Sequence, residues 1–226
     1  MTETAAGAQA DGSAAGALVW DWSVRLFHWT TVALIPMLWL SAENGAMDWH
    51  RRFGLTLMGL LIFRLYWGVA GMNTARFQNF VKGPKAITAY IARMKRPYTP
   101  AAGHNPLGAL SVIALLAALT AQITAGLFAV DVDGIESGPL SSLISFKQGR
   151  AAAEFHEFFF NVLLALIVLH IAAVAYYFIA LKTNLVRTMV TGRRKGAVTA
   201  NAGPFPLTRF LIGAALAVAA VTLVQL

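Results

Sequence analysis

The sequence predicts an all-α, polytopic membrane protein, and three observations carry that reading. Hydrophobic residues make up 58% of the 226-residue chain and charged residues only 12%, for a mean hydropathy of +0.62. A soluble domain of this size has no core large enough to hide so much apolar surface. The apolar residues are gathered into runs of about 20, the length that crosses a ~30 Å hydrocarbon core. The charges fall mainly in the connections between those runs. In lipid every backbone N–H and C=O must find a partner within the chain, so each run is expected to be a helix.

Five runs can be read, at residues 22–41, 50–71, 105–130, 154–181 and 207–226. The first carries Arg25 and His28 within it, and the last closes the chain. The expected architecture is a four-helix transmembrane bundle with a fifth, C-terminal hydrophobic helix. Residues 1–17 are Ala/Gly-rich and weakly acidic. They lack the basic start and apolar stretch of a signal peptide, so a mobile cytoplasmic tail is expected. The chain is thus divided into that tail, a core domain over 18–192, and a linker with the last helix over 193–226.

There is no cysteine, which excludes disulfides, thiolate-bound iron–sulfur clusters and covalent haem attachment. A net charge of +8 would suit nucleic acid in a soluble chain. Here the charges are better explained as orienting helices in a membrane, and no nucleic-acid partner is expected. The connection over 72–103 holds Arg76, Lys82, Lys85, Arg93, Lys95 and Arg96 and no acid. The stretch after the fourth run, with Lys182, Arg187, Arg193, Arg194 and Lys195, is also basic. The connections over 42–49 and 131–153 carry Glu43, Asp48, Asp131, Asp133 and Glu136 against Lys147 and Arg150. The positive-inside rule therefore places the N-terminus in the cytoplasm and the two acidic connections outside.

Two histidines of the fourth run, His156 and His170, are fourteen residues apart. Fourteen helical residues rise about 21 Å in just under four turns, so both lie on nearly one face at opposite depths. His50 begins the second run on the outer side, and His28 lies near the inner end of the first. The expected pairs are His50 with His156 and His28 with His170. Two imidazoles facing each other leave room for a flat tetrapyrrole with a nitrogen on each axial position, so two haem b groups are expected. A single zinc ion is a poor rival, because pairs ~20 Å apart cannot close one tetrahedral shell.

Other residues are read around these pairs. Gly54 and Gly68, one turn beyond His50 and Arg64, either admit a macrocycle close to the backbone or serve small-residue helix packing. Arg64 is a costly charge within an apolar run. It is read as a partner of an inner haem propionate or a group near a quinone head, with snorkelling to the inner surface as the plain alternative. Arg51 and Arg52 are placed to meet the outer propionates, or are simple flanking charges. His104, before Asn105 and Pro106, is a helix-start residue with no histidine partner at its depth, or else a proton-delivery or quinone contact. Glu154, Glu157 and Asn161 either orient His156 or meet the interface.

The segments VWDWSVRLFHW (19–29), HRRFG (50–54), FRLYWGVAG (63–71) and GHNPLGALSV (103–112), with His156–Glu157 and Leu169–His170, resemble the bacterial cytochrome b561 family. That family includes the cytochrome b subunits of nickel–iron hydrogenases. The resemblance runs from about Val19 to Gly192. It implies a four-helix core with two b haems, ligated by His28, His50, His156 and His170, that exchanges electrons between the quinone pool and a redox partner. The partner would be a hydrogenase, a soluble cytochrome or a similar protein. The implied setting is the bacterial inner membrane and its respiratory chain, and a homodimer is compatible with it. Two other functions stay open: a self-contained quinone oxidoreductase acting on a small molecule such as superoxide, and a non-redox anchor or transporter with structural histidines. Nothing in the sequence resembles a nucleophile–base pair, so hydrolytic chemistry is not expected.

Overall fold

The computed structural model describes residues 16–93, 103–194 and 203–226. Most of the expected tail, together with Lys95, Arg96, Lys195 and part of the linker, lies outside the described residues. Among the described residues there are eight α-helices: α1 Trp22–Glu43, α2 Met47–Ala70, α3 Phe77–Phe80, α4 Pro84–Arg93, α5 Pro106–Phe128, α6 Phe146–Ile179, α7 Leu185–Thr191 and α8 Leu207–Val224. Four of them, α2, α5, α6 and α8, are long and apolar enough to cross a membrane. α1 has the length, at 22 residues, but Ser23, Arg25, His28, Thr30 and Thr31 dilute its hydropathy.

Helix starts follow local chemistry. Asp21 caps α1 by accepting the N–H of Val24, and Asn105 caps α5 ahead of Pro106 by accepting the N–H of Gly108. Side-chain oxygens at such positions satisfy N–H groups that the helix itself cannot pair. α6 begins at Phe146, eight residues before the expected 154, and runs for 34 residues. A reciprocal capping box between Ser145 and Gln148 fixes that start. The connection between α5 and α6 is correspondingly shorter than expected, and Lys147 and Arg150 belong to the helix.

α1 and α2 form one close-packed hairpin and α5 and α6 another; α2 meets α5 more sparsely, and α6 is not closely packed on α1 or α2. Side chains of Phe27, Leu34, Leu57, Leu61, Leu116, Leu119 and Leu163 fill the space between the hairpins. The end of the bundle with the two hairpin connections is called here the hairpin end, and the opposite end the N-terminal end. Most of α6 is turned outward, as at Val168 (59% exposed), Leu169 (65%) and Ile171 (60%), which suits a lipid-facing surface.

α8 lies antiparallel on α2. Gly59 of α2 approaches Val221, and Gly213 of α8 approaches Tyr66 and Phe63, the close contact of small residues that joins helices in lipid. An aromatic cluster of Trp22, Phe63, Trp67, Phe205 and Phe210 seals the junction. Near the N-terminal end, Ala17–Leu18 (β1) pairs antiparallel with Arg193–Arg194 (β2). The N–H groups of Val19 and Trp20 both donate to the carbonyl of Gly192, at 2.8 and 3.0 Å. A methyl at Gly68 would overlap the ring of Phe77. That glycine is thus required by packing against α3, and its proposed opening toward a macrocycle gives way to the packing role.

Candidate functional site: two histidine pairs between the hairpins

His50 and His156 come together at the hairpin end, their ring centroids 6.1 Å apart and their planes 79° to each other. His50 Nδ1 lies 2.9 Å from the carbonyl of Leu38 on α1. His156 Nδ1 lies 2.9 Å from the carbonyl of Gln122 on α5. A carbonyl can only accept, so both Nδ1 atoms carry the proton and both Nε2 atoms keep a lone pair. This is the outer support that orients imidazoles as metal ligands. A metal held about 2 Å from each of two opposed imidazole nitrogens sets the ring centroids roughly 6 Å apart. The observed separation fits that arrangement.

Two residues that sequence reasoning missed build this pair. Gln122 is a buried polar residue within the apolar α5. One turn on, Gly126 faces the ring of His156, and a Cβ there would stand 2.8 Å from Cε1 and 3.0 Å from Nδ1. Gln122 contributes its backbone carbonyl, which any residue would supply, so the one signal in the sequence was the glycine at 126. Gly126→Ala is expected to push the ring off the Gln122 carbonyl and weaken metal or cofactor retention by roughly tenfold or more. Titrating cofactor into the apoprotein of each form measures it.

By contrast, Glu154, Glu157 and Asn161 do not orient His156. Glu154 faces Arg150 at 3.9 Å, Asn161 donates to the Glu157 carbonyl, and all three are exposed. Arg51 is held by Asp48 and Glu136, which ties α2 to the hairpin-end loop. Its charge is already met by two carboxylates. Arg52 lies over the Trp49 ring at 5.2 Å. A Cβ at Gly54 would meet only Leu38 Cδ2, at 3.9 Å, so packing within the chain does not account for that glycine.

Toward the N-terminal end, His28 stands on α1 and His170 on α6, with His28 within reach of the field of His170. His28 Nδ1 is buried with no hydrogen-bond partner, and its ring meets Trp29 edge-on at 5.0 Å. Among the described residues, nothing uses the bonding capacity of that nitrogen. All four histidines are half-buried between the hairpins. Among the described residues, no group of three or more potential metal-ligating side chains comes together. Paired imidazoles suit a cofactor whose remaining metal ligands are its own.

Arg64 is 3% exposed, so it does not snorkel to the surface. Its Nη1 donates to the Ala75 carbonyl at 3.4 Å, and its guanidinium lies over Phe77 at 5.2 Å. The carboxylate whose field reaches it is Asp21, 2% exposed and unremarked in the sequence. Asp21 also accepts from Ser23 Oγ at 2.5 Å and from Trp67 Nε1 at 3.2 Å.

His104 is enclosed by aromatic rings. Its ring is sandwiched by Trp20 and Phe80, each 4.6 Å away, and it feels the charges of Arg64 and His170. Burial, reinforced by those neighbours, lowers its pKa from the usual 6.5 to about 3. The unfolded chain binds this proton below about pH 6.5, while the folded chain refuses it until about pH 3. Stability from this group is thus lost as pH falls through that window. The melting temperature in detergent is expected to drop between about pH 7 and 4, and His104→Phe to make the drop shallower.

The fold and the site together define an α-helical, multi-pass membrane protein with an imidazole pair, His50 and His156, set between its helices. A family model for prokaryotic cytochrome b561 matches residues 19–192, and the chain belongs to that family, whose members are membrane b-type cytochromes of electron transfer. No curated protein and no solved structure matches it significantly.

Proposed function

We propose that the protein is a dihaem b-type cytochrome of the bacterial inner membrane, with its N-terminus in the cytoplasm. It passes electrons between the quinone pool and a redox partner protein. The observation that carries this reading is the His50–His156 pair: rings 6.1 Å apart, each Nδ1–H committed to a backbone carbonyl of a neighbouring helix. His50 and His156 would hold the outer haem, and His28 and His170 the inner one. Each haem, when bound, takes up and gives back a single electron.

The chain's residues do the rest. The hairpins hold each imidazole pair at a fixed depth, and the leucine-rich filling between them excludes water. Gly54 leaves the backbone open beside His50. Arg64, within the field of Asp21, would supply the positive charge for an inner propionate. A low-dielectric wall strengthens that field.

Purified protein in detergent tests the reading. A b-type spectrum that a quinol analogue reduces supports it, and absence of any reducible haem overturns it. Rapid reoxidation of quinol-reduced protein by superoxide, with no partner protein present, would favour the self-contained oxidoreductase instead.

A further inference from the structure

Beside the redox core, α2 ends and α8 begins next to each other at the N-terminal end. Between them lies a cavity of about 610 Å³ lined by Met72, Asn73, Arg76, Phe205, Leu207 and Arg209, among others. Two guanidiniums reach it, and each spends one N–H on the carbonyls that finish α2. Arg76 Nε donates to Gly71 at 2.7 Å, and Arg209 Nη1 donates to Ala70 at 3.3 Å. A guanidinium has five N–H donors in a planar fork. Among the described residues, neither arginine pairs with a carboxylate. Two unneutralised cations are therefore held at one place with most of their donors unspent.

The depth of the cavity says what meets them. It sits where two membrane-spanning helices terminate, the level of the lipid headgroups. Immediately along the same helices, Val69 (74% exposed), Leu207 (59%) and Leu211 (56%) present an apolar track. Arginine forks match phosphate oxygens in geometry and charge, and basic residues at this level attract anionic lipid. We propose that the Arg76–Arg209 cavity binds the phosphodiester of an anionic membrane lipid, with an acyl chain laid along Val69, Leu207 and Leu211. The site depends on α8, which lies beyond the family-matched residues, and it stands apart from the redox reading.

Native mass spectrometry of the delipidated full chain tests this, with phosphatidylglycerol and phosphatidylcholine of the same acyl chains offered together. The native chain retains phosphatidylglycerol in preference. R76Q/R209Q lowers that retention roughly tenfold, and R76K/R209K restores part of it. Equal retention by native and R76Q/R209Q chains overturns the proposal. So does equal retention of the two lipids by the native chain, a result that needs no variant to fold. Displacement of phosphatidylglycerol by millimolar inorganic phosphate would assign the cavity to a free anion and overturn the lipid.

Discussion

On the proposed two-haem reading, His170→Ala protein is expected to carry half the haem of the native chain, with the His50–His156 haem intact. Each expected pair spans the two hairpins, so losing one imidazole opens one cofactor and leaves the other gripped. His50→Ala and His156→Ala should each remove the other haem. The double variant His50→Ala/His156→Ala should lose no more than either single one. Such non-additivity is the mark of residues acting on a shared partner. Haem-to-protein ratios from reduced-minus-oxidised spectra decide it. Retention of both haems in His170→Ala protein would dissolve the pairing, and so would losses that sum across the His50 and His156 variants.

Asp21→Ala is the substitution with the largest expected effect on stability, about 3 kcal/mol. The carboxylate has three roles. It caps α1, worth about 1 kcal/mol. It accepts from the buried Trp67 N–H, whose loss costs about 1–3 kcal/mol. Its field also reaches the buried Arg64 without a direct ion pair between them, so its loss adds a smaller electrostatic cost. These losses share one side chain and do not add in full. For a chain of this size the shift corresponds to roughly 10 °C in melting temperature. Arg64→Leu in the Asp21→Ala background should recover part of it. If the second change destabilises as much as it does in the native chain, Asp21 and Arg64 are not coupled.

The spans and the histidine spacing were legible because each is a one-dimensional signal. Apolar length identifies a membrane helix, and fourteen residues identify one face at two depths. His50 and His156 meet as that spacing requires. The start of α6 was also written locally, in Ser145 and Gln148, but the apolar run masked it. What could not be read was tertiary. Nothing local tells that Phe77, nine residues past Gly68, folds back over it, or that Glu136 reaches Arg51 and settles its charge. Asp21 reads as a helix cap, and only the fold places it near Arg64. The surroundings of His104 could not be read because the rings that enclose it, Trp20 and Phe80, come from two distant stretches of chain.

The small β1–β2 clasp has a topological consequence. The family-matched segment opens at Val19 and closes at Gly192, and these two residues are hydrogen-bonded at 2.8 Å. The redox core is therefore a nearly closed ring of chain whose ends touch, with α8 attached as an outrigger. A circularly permuted gene, joining those ends through a short linker and cutting the loop near Asp133, would preserve almost every contact of the core. Such a permutant also offers a way to relocate the termini to the opposite side of the bilayer, for fusion of a reporter.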